Sequence, residues 1–248
     1  MRAQDVFQNI SLFNKAAIVT GGGSGIGRGI ALALANEGSK VVVCGRRVEK
    51  LKETVDLIQK RGGEGVGIQC DISDEGDVNR LVKSIIVRYN RIDILVNNAG
   101  ISRGTALHDL QIEDWDLVMD INLRGLMLIS REVLPVMRAQ RSGHIINISS
   151  ESGIEYYKDD IAYGVSKHAL NALGEFIQQE NQDLNIRVNT ICPGMVVTEM
   201  TEDNVGLNHS KCLYPQDIAD LVIWLLTRRQ NIKIGTPILI QTMINPWD

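Results

Sequence analysis

Short apolar, often β-branched runs alternate along the chain with longer segments whose apolar positions recur at helical spacing. The strand-like runs are Ala16–Thr20, Val41–Cys44, Val66–Cys70, Ile94–Asn97, His144–Ser149, Ile186–Ile191 and Pro237–Ile240. The helical segments between them are Gly25–Asn36, Val48–Lys60, Glu75–Tyr89, Ile112–Arg138, Ala162–Gln182 and Pro215–Leu226. Strands that are apolar on both faces and separated by helices predict a parallel sheet covered on both sides. The expected fold is α/β and doubly wound, with three α/β/α layers. No linker, repeat or low-complexity segment interrupts the alternation, so residues 1–248 read as a single domain. The clearest break is the Gly-, Asn-, Thr- and Glu-rich stretch 193–214. Loops at the carboxyl ends of strands in such sheets line the ligand crevice, which makes this one a candidate substrate lid.

Composition narrows the partners. A net charge of -4 without basic runs argues against a nucleic-acid or anionic-membrane binder. The pairs Arg46-Arg47 and Arg228-Arg229 are too small for that role. Cys44, Cys70, Cys192 and Cys212 are scattered without metal-ligand or redox spacing. Cys44 and Cys70 end apolar runs and read as small buried hydrophobes. No metal is expected, and a reducing compartment fits. The first fifteen residues lack a signal-peptide pattern, and no apolar stretch approaches ~18 residues. A soluble, cytoplasmic protein is expected.

The first strand runs into Thr20-Gly21-Gly22-Gly23-Ser24-Gly25-Ile26-Gly27, and a helix follows. Without side chains, backbone N–H groups can approach a pyrophosphate closely, and a helix N-terminus adds unpaired donors. The strand–turn–helix context points to nucleotide binding rather than a bare turn. The second strand leads to Gly45-Arg46-Arg47, where an NAD-selective site places an acidic residue. A guanidinium binds a 2′-phosphate that a carboxylate would repel, so Arg46 and Arg47 favour NADP(H).

Tyr163 and Lys167 lie four apart in a helical segment, on one face. A nearby ammonium, and the positive charge of an oxidised nicotinamide, lower a phenol's pKa toward the range useful for proton transfer. Ser150 follows the fifth strand and is placed to hydrogen-bond a substrate oxygen as charge develops on it. Ser149 competes for that place, because alternation along a strand lets one of the two face the site.

These residues carry a resemblance to the short-chain dehydrogenase/reductase superfamily, in its single-domain branch, over nearly the whole chain. Thr20–Gly27 matches TGxxxGxG, and Asn97-Asn98-Ala99-Gly100 matches NNAG. Asn122, Ser150, Tyr163 and Lys167 match the catalytic tetrad. Pro193-Gly194 and Thr198 match the segment that contacts the nicotinamide end, with Val196 between them, and Asp71-Ile72 matches the adenine-contacting pair. The resemblance implies a Rossmann-type seven-stranded sheet of order 3-2-1-4-5-6-7. It implies that Lys167 binds the nicotinamide ribose and lowers the pKa of Tyr163, the general acid/base. It implies that Ser150 polarises the carbonyl, and that Asn122 holds a water linking Lys167 to solvent. Asn98 and Gly100 join the cofactor-binding set, and a homodimer or homotetramer is implied.

Three departures qualify the match. Ser24 stands where many NADP-selective members carry a basic residue. The C-terminal DGG element is missing, and the tail resembles the subgroup acting on hydroxy acids and β-hydroxy amino acids. The 193–214 lid is shorter than that subgroup's. The expectation is an NADP(H)-dependent carbonyl reductase, or an alcohol dehydrogenase in reverse, acting on a small molecule. The alternatives are a non-catalytic NADP-binding sensor or scaffold, and a sugar-nucleotide epimerase, whose longer substrate domain and glycine spacing are absent. Glu151, Glu155, Tyr156 and Tyr157 border the substrate or form a solvated loop. His108 and His144 read as structural, and His209 as a lid residue. Trp115 and Trp224 read as packing residues. Trp247 is read as packing on a neighbouring subunit.

Overall fold

A computed structural model describes residues 10–247; the reading of the first nine residues lies outside the described part. Seven strands are present: β1 (Ala16–Thr20), β2 (Lys40–Gly45), β3 (Glu64–Gln69), β4 (Ile94–Asn97), β5 (Gly143–Ile148), β6 (Ile186–Pro193) and β7 (Ile238–Ile240). The helices are α1 (Gly25–Asn36), α2 (Val48–Lys60), α3 (Glu75–Tyr89), α4 (Ile112–Met119), α5 (Leu126–Gln140), α6 (Ile161–Asn181) and α7 (Pro215–Leu226). Every strand pairing is parallel, in the order β3-β2-β1-β4-β5-β6-β7. The expected sheet, layers and order are all present.

The period of two along each strand divides the interior. Ala17 and Val19 of β1, with Val41 and Val43 of β2, pack against Ile30 and Leu34 of α1 and Ile218 and Val222 of α7. Ile18, Val42 and Cys44 point the other way, onto Leu81 and Ile85 of α3, Ile129 and Val133 of α5 and Leu170 of α6. Each such large side chain contributes roughly 1.5–3 kcal/mol on burial. Adjacent strands diverge in chain order at β1 and β4, so the sheet opens a crevice at their carboxyl ends.

Two expectations about elements need correcting. The segment expected as one helix over Ile112–Arg138 contains a π-helical turn at Asp120–Gly125 between α4 and α5. β3 is not apolar on both faces: it is the outer strand, and Glu64, Gly67 and Gln69 are exposed. Trp224 also departs from its packing role, being 49% exposed beneath the Arg228 guanidinium. Among the described residues no helix is long and apolar enough to cross a membrane, and no group of His, Cys, Asp and Glu could hold a metal.

Candidate active site

The glycine turn is spliced onto the loop after β4. Thr20 Oγ1 accepts the backbone N–H groups of Asn98 and Ala99, both at 2.9 Å, and Asn98 Nδ2 donates to Thr20 O at 2.9 Å. Gly21 and Gly25 have φ of +63° and +49°, in the left-handed region that favours glycine. A Cβ on Gly27 would lie 2.5 Å from Gly21 O and from Asn98 Nδ2. Gly27 thus lets the helix start sit against the turn.

A cleft of about 480 Å³ runs over this turn. Gly21, Gly23, Ser24, Gly25 and Ile26 line its floor, Asp71 and Ile72 one end, and Tyr163 and Lys167 the other. Asn98, Gly100, Arg46, Arg47 and Thr198 also line it. Gly21, Gly23 and Gly25 keep the cleft floor free of side chains, as the close approach of a pyrophosphate requires, so these residues fit a nicotinamide cofactor. Asn98 lines the cleft with its amide already engaged to Thr20, which makes it a brace for the cradle. Pro193, Gly194 and Val196 line an adjoining compartment of about 420 Å³ that shares Ile26, Ser149, Tyr163 and Thr198 with the cleft.

The two arginines differ. Arg47 donates to Ser24 Oγ at 2.9 Å and pairs with Glu199 at 2.8 Å, which Lys50 also approaches at 3.6 Å. Arg46 is exposed in the cleft, forms no ion pair with a described residue, and helps lower the Asp71 pKa. Burial pushes the Asp71 carboxyl up, but hydrogen bonds from Ser73 and the Arg46 charge outweigh it and leave the group below its ordinary value. A Cβ on Gly45 would meet nothing nearer than 3.8 Å, so the position admits a side chain.

Tyr163 and Lys167 leave the same face of α6. Lys167 is 3% exposed, its Nζ donates to Ile148 O at 2.9 Å, and it lies 5.4 Å from the centre of the Tyr163 ring. Burial without a carboxylate partner pulls its pKa down to about 8. Burial pushes the Tyr163 phenol up to about 12; a hydrogen bond with Ser150 lowers it, while Asp160, Cys192 and Glu151 raise it. Ser149 is buried and its hydroxyl donates to Lys167 O at 3.2 Å, so it braces α6. Ser150 is the serine beside the phenol.

Asn122 is fully buried inside the π turn. Its side chain is consumed structurally: Nδ2 donates to Ile101 O at 2.8 Å and to Ser166 Oγ at 3.1 Å, and Oδ1 accepts from Ile101 N at 2.8 Å. Any water it holds toward Lys167 is therefore held by its backbone, in a turn where the regular helical bonding is already displaced. Two residues were missed in sequence: Glu199, paired with Arg47, and Asp160, whose charge acts on the Tyr163 phenol. Trp247 returns from the C-terminus to line the second compartment of its own chain. The pairing of Asn208 N with Pro246 O at 2.8 Å fixes that return. Glu199 and Asp160 stand in no motif, and their places depend on chain folding that no short pattern encodes.

Comparison with known proteins agrees with this geometry. A sequence model described as short chain dehydrogenase matches residues 15–206. An uncharacterized oxidoreductase of Staphylococcus epidermidis is 34% identical over 221 residues, covering 89% of this chain and 94% of the relative. One from Staphylococcus aureus is 35% identical over 224 residues, covering 90% and 96%. Among solved structures, levodione reductase superposes with a TM-score of 0.82 at 30% identity, covering 86% of this chain and 91% of that one. An alcohol dehydrogenase from the archaeon Thermococcus sibiricus, complexed with 5-hydroxy-NADP, gives 0.85 at 26% identity, covering 92% and 97%.

Proposed function

The chain belongs to the short chain dehydrogenase family of oxidoreductases, and from that premise we propose that it interconverts a ketone or aldehyde and the corresponding alcohol with NADP(H). The observation that carries the reading is the convergence of Ser150, Tyr163 and Lys167 where the cofactor cleft meets the second compartment. A nicotinamide cofactor would be held by the Gly21–Gly27 turn, Asp71, Ile72, Gly100 and Thr198, and supplies or takes up the hydride.

The chain's own groups manage the proton. Burial pushes the Tyr163 phenol up to about 12, against the lowering expected from Lys167, so it is protonated at neutral pH; the charges of Lys167 and of an oxidised nicotinamide are what would bring it toward the range for proton transfer. Ser150 orients that oxygen and stabilises the charge growing on it. The Lys167 ammonium steadies the phenolate left behind, and its pKa of about 8 lets it take part in reprotonation. Asn122 contributes by fixing the segment at Ile101 that walls the cleft.

Arg46 is the residue proposed to bind the 2′-phosphate. It forms no ion pair with a described residue, although its charge acts on Asp71, whereas Arg47 is paired with Glu199. The exposed Arg47–Glu199 pair is worth only ~0–1 kcal/mol, so Arg47 can join in. The neighbour complexed with 5-hydroxy-NADP supports this choice.

Purified protein should oxidise NADPH with members of a ketone and aldehyde panel. Absence of turnover alongside tight NADPH binding would favour a cofactor-binding sensor. The double variant Gly45→Asp with Arg46→Ala should lower the NADPH/NADH ratio of kcat/KM by at least about tenfold, the loss expected from one charge-assisted contact. An unchanged ratio would remove Arg46 from the site.

A further inference from the structure

The compartment beyond Tyr163 has a one-sided charge. Among the described residues, no lysine, arginine or histidine lines it, whereas Glu151 and Asp160 do. Its volume of about 420 Å³ suits a small organic molecule. Neither carboxylate forms an ion pair with a described residue. Lys167, the adjacent cation, is turned toward Ile148 O and lines the cofactor cleft instead.

Both carboxylates are held in place by neutral partners. Glu151 Oε2 accepts from Gln241 Nε2 at 2.6 Å, which ties it to the tail beyond β7. Gly194 makes room for this contact, since a Cβ there would lie 3.0 Å from Glu151 Oε2 and 3.2 Å from Gln241 Cγ. An amide orients a carboxylate without cancelling its charge. Asp160 is partly buried at the start of α6, where a hydrogen bond from Ser152 offsets only part of the cost of burial. A carboxylate withdrawn from water with no cation beside it is electrostatically incomplete. Both charges also act on the Tyr163 phenol, so they lie within electrostatic reach of the atom that meets the substrate oxygen.

We infer that this compartment accepts a carbonyl compound, or its alcohol, that carries a protonated amine close to the reacting carbon, with Glu151 and Asp160 as the residues that select it. The inference rests on the oxidoreductase reading above. An ammonium supplies the missing cation and relieves the repulsion between the two carboxylates and a forming phenolate. A substrate carboxylate meets two like charges and no donor of opposite sign, which disfavours it strongly. During reduction, hydride goes to the carbonyl carbon, the oxygen takes a proton from Tyr163, and the ammonium passes through unchanged.

Binding and turnover test the two readings separately. Calorimetric titration of the NADPH-loaded protein would use three small alcohols of matched skeleton: the amino alcohol derived from aminoacetone, propylene glycol and lactate. An alcohol cannot react with reduced cofactor, so the dissociation constants report the compartment alone. The amino alcohol is expected to bind at least about tenfold more tightly than the glycol, with lactate weakest, as opposite and like charges at short range dictate. Glu151→Gln and Asp160→Asn should each shrink the amine-to-glycol ratio at least about threefold, in protein whose circular dichroism is unchanged. Equal constants, tightest binding of lactate, no detectable binding of the amino alcohol, or ratios untouched in both variants would overturn the inference. In parallel, kcat/KM with aminoacetone, hydroxyacetone and pyruvate should follow the same order. Turnover with a flat set of dissociation constants sinks the charge selection alone. An intact set without turnover of any ketone supports it and counts against the oxidoreductase reading.

Discussion

A buried lysine without a carboxylate beside it is an unusual choice for stability. Below about pH 8 Lys167 must carry its charge into a site that burial makes unfavourable. Its folded pKa is depressed from 10.5, so between about 8 and 10.5 the unfolded chain binds a proton that the folded chain does not. The stability cost is therefore full below pH 8 and fades as pH rises to 10.5. Lys167→Met should stabilise the cofactor-free protein at neutral pH by on the order of 1–3 kcal/mol, less whatever the unpaired Ile148 carbonyl costs. Denaturant melts from pH 7 to 10.5 check this: the advantage should shrink with rising pH, and a constant or growing advantage would contradict the placement. Four-residue spacing made the Tyr163–Lys167 pair legible in the sequence. Strand alternation alone left Ser149 and Ser150 open, because the choice depends on where β5 ends and on which hydroxyl meets α6; the family motif singled out Ser150. Glu151 read equally well as part of a solvated loop until the folded chain walled it in, and Asp160 drew no reading at all.

At the scale of elements, the cradle is held by the splice between the turn after β1 and the loop after β4. Thr20 is its hub. Thr20→Val keeps the shape but leaves the N–H groups of Asn98 and Ala99 without their acceptor. A loss of about 2–6 kcal/mol is expected, from roughly 1–3 kcal/mol for each stranded group. Thermal or urea melts would read it, and fluorescence titration should show weaker NADPH binding. A fully stable variant with normal affinity would mean that the turn stands without the splice. The glycine pattern revealed the turn, because φ values above zero are written in residue type. The π turn at Asp120–Gly125 was hidden, because one extra residue shifts the helical phase without breaking the apolar pattern that joins α4 to α5. The half-exposed character of β3 was hidden too: its apolar residues signal a strand, but nothing local says that it has a neighbour on one side alone.

For the whole molecule, the doubly wound architecture was legible because alternation of period two and period 3.6 marks every layer. The two cores follow directly from it. What the pattern does not give is the polar group trapped between them. His144 is buried, its Nε2 contacts Asn189 Oδ1 at 2.9 Å, and burial with the nearby Arg187 charge pulls its pKa to about 3. Folding thus holds His144 neutral while the unfolded chain titrates near 6.5. Between these values the unfolded state binds the extra proton, so stability falls as pH drops from 6.5 toward 3. His144→Gln should flatten that acid limb, measured as the slope of unfolding free energy against pH between 4 and 6.5. A slope equal to the wild type's would assign the acid sensitivity in this window to groups other than His144. Asp93 is raised by burial but held below its ordinary value mainly by Arg91, so its contribution is lost only at still lower pH.

The same parallel sheet brings the glycine turn after β1, the loop after β4 and the serine after β5 to one edge, where α6 supplies Tyr163. The most direct test of that convergence is the steady-state and single-turnover rate of Tyr163→Phe with NADPH and a ketone that the wild type reduces. Loss of the proton donor should lower kcat by roughly 10²–10⁴-fold while NADPH affinity stays within about twofold of wild type. A Tyr163→Phe enzyme that turns over at the wild-type rate would contradict the account at its centre.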